Sequence, residues 1–216
     1  MAAITSNRSI ETLIQEGDWE AARTGIQLEL AGEPDNHWLL TQLGVTFYEQ
    51  GRYREALVPL SASLKLVPDC PLTLWNVAGA LDALGKPEKA VPIYTWLLGS
   101  KRTVEDDSCW ESAEWTEALK ADCLYRIGAC FQQMSHPETA ELCYREYIDL
   151  LLAGVAGIYS IDDAATRIRE LHLDGKRKPG KGVRDAIGSA LDEAGIPSIR
   201  GRAKGPQRSI AELLAT

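Results

Sequence analysis

With 216 residues the chain is long enough to bury a sizeable core, either as one array or as an array with an appendix. Its net charge is −8, Met1 to Ile10 has no apolar core of the signal-peptide kind, and the longest apolar run, Leu150 to Tyr159, is too short to span a bilayer. We therefore expect a cytoplasmic protein with no membrane partner. None of the five cysteines forms a C-x2-C pair, so reduced thiols and no metal centre are expected.

The first predicted unit covers residues 3–36. Its opening helix carries Ile10, Leu13 and Ile14, with Ser9 or Asn7 as cap, and its second half runs from Trp19 to Pro34. The next unit, 37–70, has the clearest pattern. Leu40, Leu43 and Phe47 recur at i, i+3 and i+7 on one helical face, Leu60 and Leu64 do the same for a second helix, and Gly51 separates the two. Two helices approach closely only where side chains are minimal, which assigns Gly44 and Ala56 to the crossing. Residues 71–104 repeat the scheme with Leu74, Val77, Ala78, Leu81, Ala90 and Tyr94, but Arg102 stands where a closing proline would fall. In 121–154 the same landmarks are Leu124, Ile127, Gly128, Phe131, Ala140 and Tyr144.

The landmarks are periodic. Ala22, Ala56 and Ala90 stand 34 residues apart, and Ala140 follows after 50, one period plus an insertion of 16. Turn motifs keep the same step: Gly17-Asp18-Trp19, Gly51-Arg52-Tyr53, Gly85-Lys86-Pro87 and Ser135-His136-Pro137. Leu40, Leu43-Gly44, Phe47, Ala56, Leu60 and Pro68 follow the W-x2-L-G-x2-Y, A-x3-F, P pattern, so the chain resembles the tetratricopeptide repeat family. That resemblance implies an all-α fold, a right-handed solenoid of helical hairpins over residues 3–154, interrupted by the insertion at 105–120.

The insertion holds six carboxylates (Glu105, Asp106, Asp107, Glu111, Glu114 and Glu117) against Lys120, with Trp110 and Trp115 among them. Ser108 and Glu111 have capping-box spacing, which predicts that the next helix begins near Cys109 and runs long. The insertion reads as a solvated helical extension in preference to an acidic binding loop. After the fourth unit, 160–172 reads as a helix capped by Ser160, with Ile161, Ala165, Ile168 and Leu171 on one face, similar to the solvating helix that closes tetratricopeptide arrays.

From 174 the composition changes. Nine basic residues against four acidic ones lie between Asp174 and Arg208, and short amphipathic segments are expected at 183–194 and 209–214. Lys176, Arg177, Lys178, Lys181, Arg184, Arg200, Arg202 and Lys204 are candidate polyanion contacts. The stretch has no aromatic residue for base stacking and no helix-turn-helix or zinc pattern, so a segment folding back on the acidic array is the preferred reading and nucleic acid the weaker partner.

In tetratricopeptide proteins the first helix of each repeat lines a concave groove. By that resemblance the lining here is Trp38, Thr41, Val45 and Tyr48, then Leu72, Trp75, Gly79 and Asp82, then Asp122, Tyr125, Ala129 and Gln132, a surface suited to a peptide segment. Packing between neighbouring helices is an equal alternative for Trp38, Trp75 and Tyr125. The resemblance does not extend to repeats that clamp a chaperone's C-terminal carboxylate. Thr41, Val45 and Asp122 occupy polar or cationic positions of that motif, and only Asn76 and Arg126 match it. Acidic bacterial secretion chaperones of three repeats are more similar, although they lack the insertion and the basic segment.

The histidines at 37, 136 and 172 sit in no nucleophile or metal motif, and Gly175 to Gly182 lacks phosphate-loop spacing. We therefore expect a non-enzymatic adaptor or chaperone with no cofactor and a protein or peptide partner, pairing of two copies remaining open. The alternative is a scaffold whose basic segment binds a polyanion.

Overall fold

The computed structural model describes residues 9–102, 108–171 and 182–197. Among them the protein is all-helical: α1 (Ile10–Gln15), α2 (Trp19–Gly32), α3 (His37–Tyr48), α4 (Tyr53–Leu66), α5 (Pro71–Ala83), α6 (Pro87–Gly99), a single 3-10 turn (Ser108–Trp110), α7 (Ala113–Gln133), α8 (Pro137–Leu152), α9 (Ile161–Glu170) and α10 (Val183–Glu193). From α1 to α9 each helix packs on the next, so the helices lie in adjacent pairs. Among the described residues no helix is long and apolar enough to cross a membrane.

Local chemistry explains the alternation of helix and turn. The turns after α1, α3, α5 and α7 close through one shared bond. Asp18 N–H donates to Leu13 O (2.9 Å), Arg52 to Phe47 O (3.0 Å), Lys86 to Leu81 O (3.0 Å) and His136 to Phe131 O (2.9 Å). That bond satisfies a carbonyl orphaned at the helix end and requires a left-handed residue just before the donor. Gly17, Gly51 and Gly85 supply it with φ of 74°, 71° and 72°, and Ser135 takes the same role at φ 62° with a side chain in the way. The following helices open at once on Trp19, Tyr53, Pro87 and Pro137. Proline is favoured there because its missing N–H would be unpaired in any case.

At the crossings the small residues do what their spacing predicts. Ala22, Ala56, Ala90 and Ala140 are fully buried. A methyl group added at Gly44 would lie 2.5 Å from Leu60 Cγ and 2.6 Å from its Cδ2, and one at Gly128 would lie 3.0 Å from Tyr144 Cε1. The apolar interior forms two clusters. A small one joins Ile10, Ile26 and Leu39, and the main one runs from Ala56 to Ile196. Polar contacts lie along α3 between them. Buried Arg23 donates to Gln50 Oε1 (2.8 Å) with its guanidinium 5.0 Å from the Phe47 ring centre, while the hydroxyl of Thr41 meets those of Ser63 (2.8 Å) and Thr73 (2.7 Å).

Cys123, Cys130 and Cys143 are buried in the main cluster, as their helical positions suggested, and burial pushes all three thiols up. Ser9 caps α1 through Thr12 N (3.2 Å). Ser160 caps α9 in a reciprocal box with Asp163, whose carboxyl the Ser160 hydrogen bonds hold below the usual carboxylate range. The apolar face of α9 is close to the expected one, with Ala165 half-buried. Ala164 is fully buried with Ile168 and Leu171 partly so, whereas Ile161 is exposed.

Another correction concerns the insertion. The helix does not start near Cys109. A 3-10 turn comes first, burying Trp110 completely against the Trp115 ring, and α7 starts only at Ala113 with Ser112 accepting from Trp115 N (3.1 Å). Sinking Trp110 into the core turns the chain before the long helix can begin. Where the closing proline is missing after α6, Arg102 pairs with Asp69 (2.5 Å). Of the basic stretch, α10 packs on α8 with Ile187, Ala190, Leu191 and Ile196 buried. The expected segment at 209–214 lies outside the described residues.

Candidate functional site

The odd-numbered helices α3, α5 and α7 share a face, and side chains on it bridge from one helix to the next. Arg126 on α7 is its centre. The guanidinium donates to Tyr48 Oη on α3 (2.9 Å) and to Asp82 Oδ2 on α5 (3.4 Å), and Gln133 donates to the other Asp82 oxygen (2.8 Å). The same cation lies 5.8 Å from the Trp75 ring centre and 5.9 Å from that of Tyr159, within cation–π range. Arg126 keeps 21% of its side chain exposed, while Asp82 keeps 7%.

Gly79 makes the bridge geometrically possible. A methyl group there would come within 2.8 Å of the Tyr48 hydroxyl, so Tyr48 reaches Arg126 by crossing α5 over a residue that has no side chain. Burial pushes the Tyr48 phenol up, partly opposed by the positive charge of Arg126.

The far end of the face is covered by the chain itself. After α8 the segment 155–160 returns over α7. Ile158 N donates to Asp122 Oδ1 (2.8 Å), and Tyr147 Oη donates to Tyr159 O (2.6 Å). The Tyr159 ring stacks flat on Tyr125 with centres 3.8 Å apart and planes 8° from parallel. Burial raises the Asp122 carboxyl despite its Ile158 and Tyr147 hydrogen bonds, and burial pushes the Tyr159 phenol up to about 12.

These contacts sort the residues expected to line a groove. Val45, Tyr48, Leu72 and Trp75 are half-buried, with Trp75 edge-on to Tyr94 of α6 (5.3 Å). Trp38 is also half-buried, but it packs on the N-terminal cluster of Ile10, Ile26 and Leu39. Five of the expected lining residues are engaged by other parts of the chain. Thr41 is 1% exposed and belongs to the hydroxyl contacts with Ser63 and Thr73, so it faces neighbouring helices. Asp82 is occupied by Arg126 and Gln133. Tyr125 and Asp122 are roofed by Tyr159 and Ile158. Gln132 accepts from Tyr144 Oη on α8 (2.9 Å), and its neighbour Gln133 faces α5 instead.

Sequence reasoning missed Arg126 as the centre, along with Gln133 and Tyr159. Arg126 was visible only as one of two matches to a carboxylate clamp. The other, Asn76, donates to Leu72 O of its own helix (2.8 Å).

The polyanion candidates Lys176, Arg177, Lys178, Lys181, Arg200, Arg202 and Lys204 lie outside the described residues. Arg184 lies on α10 and donates to Leu98 O at the end of α6 (3.3 Å). Neither a protein-family model nor a curated protein sequence matches the chain.

Proposed function

We propose that this is a tetratricopeptide-type solenoid working as a cytoplasmic, non-enzymatic adaptor or chaperone. It holds an extended protein segment on the face of α3 and α5. The observation that carries this reading is a strip of half-buried apolar side chains on neighbouring helices: Val45 and Tyr48 at i, i+3 on α3, with Leu72 and Trp75 at i, i+3 on α5. The contact of Tyr48 with the Gly79 position puts the two pairs on one face. Aromatic anchors beside a partly exposed arginine suit protein recognition, where both are over-represented. Because Tyr159 covers α7, the ligand path runs over α3 and α5 and stops at Arg126.

The test is affinity capture from nuclease-treated lysate, comparing the native chain with a Val45→Glu, Leu72→Glu double variant whose helicity is checked by circular dichroism. A partner retained by the native chain and lost by the folded variant supports the proposal. Capture that is indifferent to the two substitutions refutes it.

A further inference from the structure

We propose that His37, Cys70 and Cys109 form a binding site for zinc(II), with one coordination position left open to solvent. The three come from separate parts of the chain. His37 is the first residue of α3, Cys70 is the N-cap of α5, and Cys109 lies in the 3-10 turn of the insertion. Their ligand atoms all lie within 4.8 Å of one another, and this is the group of three potential ligands that the described residues bring together.

The spacing fits the ion. Zinc–sulfur and zinc–nitrogen bonds of about 2.3 and 2.0–2.1 Å at tetrahedral angles put sulfur and nitrogen roughly 3.6 Å apart and two sulfurs roughly 3.8 Å apart. His37 Nε2 and Cys109 Sγ already stand 3.5 Å apart. Without an ion that contact is a hydrogen bond between thiol and imidazole. With one, the two thiols release their protons to solvent, the sulfur and nitrogen lone pairs turn to the metal, and closing the widest separation takes about 1 Å. Two thiolates and a neutral imidazole balance the 2+ charge, and a sulfur-rich donor set of this kind selects zinc over calcium or magnesium.

The three ligands are held by independent structure. Thr41 and Ser63 each donate to the carbonyl of His37 (both 2.9 Å), which fixes the start of α3. Thr41 also touches Thr73, one turn into the helix that Cys70 caps. Cys109 is anchored by the complete burial of Trp110, and its 3-10 turn rests on α5 and α7. These contacts fix the backbone positions from which the three ligands project. Cys70 is buried, whereas His37 and Cys109 are half-buried, so an ion reaches the site from the surface.

The experiment is titration of the reduced, metal-free full-length chain with cobalt(II), followed by displacement with zinc(II). Expected are thiolate-to-cobalt charge-transfer absorption and tetrahedral d–d bands that saturate at about one ion per chain and vanish when zinc is added. Cys109→Ser and His37→Gln, with helicity unchanged, should each weaken binding on the order of a hundredfold or more. Cys143→Ala, which removes a buried thiol elsewhere, should leave binding intact. Absence of the charge-transfer band overturns the proposal, and so does a Cys109→Ser chain that binds cobalt like the native one. Because the readout is metal binding alone, its outcome is separate from that of the capture experiment.

Discussion

The same substitution, glycine to alanine, should have opposite signs at two helical positions, and the structure supplies both magnitudes. At Gly44 the new methyl would stand 2.5–2.6 Å from two carbons of Leu60 and 3.3 Å from the Ala56 carbonyl oxygen. Leu60 is fully buried and cannot swing away into solvent. Overpacking of this kind costs about 1–3 kcal/mol, against a gain of about 0.5–1 kcal/mol from replacing glycine inside a helix. Gly44→Ala should therefore lower unfolding free energy by about 1–2 kcal/mol. At Gly25, inside α2, the nearest neighbour of the methyl would be Ile10 Cγ1 at 3.6 Å, an ordinary contact. Gly25→Ala should raise stability by about 0.5–1 kcal/mol. Urea unfolding of both variants, with Leu60→Ala alone and combined with Gly44→Ala, measures the effects. The cycle should show favourable coupling between the two substitutions, since the methyl added at position 44 refills part of the space that the truncated leucine vacates. A neutral or stabilising Gly44→Ala would refute the close crossing of α3 and α4.

Ser135→Gly should stabilise the protein by about 1 kcal/mol, because Ser135 occupies the left-handed conformation that glycine takes in the equivalent turns; thermal unfolding reads this out. Gly79→Ala should push Tyr48 off Arg126, lowering the unfolding free energy by about 1–3 kcal/mol and changing tyrosine fluorescence or ultraviolet absorption. Trp110→Ala should cost about 3–5 kcal/mol in denaturant unfolding, since the ring is completely buried. Asp122 gives a pH test. Its folded carboxyl is raised above the ordinary 3.8, so the native state binds more protons than the unfolded chain between that value and the raised one. Its contribution to stability is present below 3.8 and is lost as pH rises through the raised value. Asp122→Asn keeps an acceptor for Ile158 N–H and should flatten that part of the stability–pH profile. An unchanged slope would contradict the assignment.

The sequence by itself determined what is local or periodic. Spacing within the chain marked the helix pairs, and the glycines at 17, 51 and 85 marked turns because few other residues adopt a left-handed backbone without strain. Gly44 and Ala56 marked a crossing because only small residues permit one. These features depend on residues a few positions apart, or on a fixed repeat.

Tertiary structure alone decided which side chains meet. A helix turns about 100° per residue, so a one-residue error in facing sends Gln132 to Tyr144 and Gln133 to Asp82. Tyr159 carried no signal of its own, yet its stacking on Tyr125 closes one end of the face that the repeat pattern left open. The meeting of His37, Cys70 and Cys109 is the extreme case. No short motif joins them, because stacked helices set the first two side by side and burial of Trp110 carries the third to them. Contacts of that kind are made by packing, and packing is a property of the folded chain as a whole.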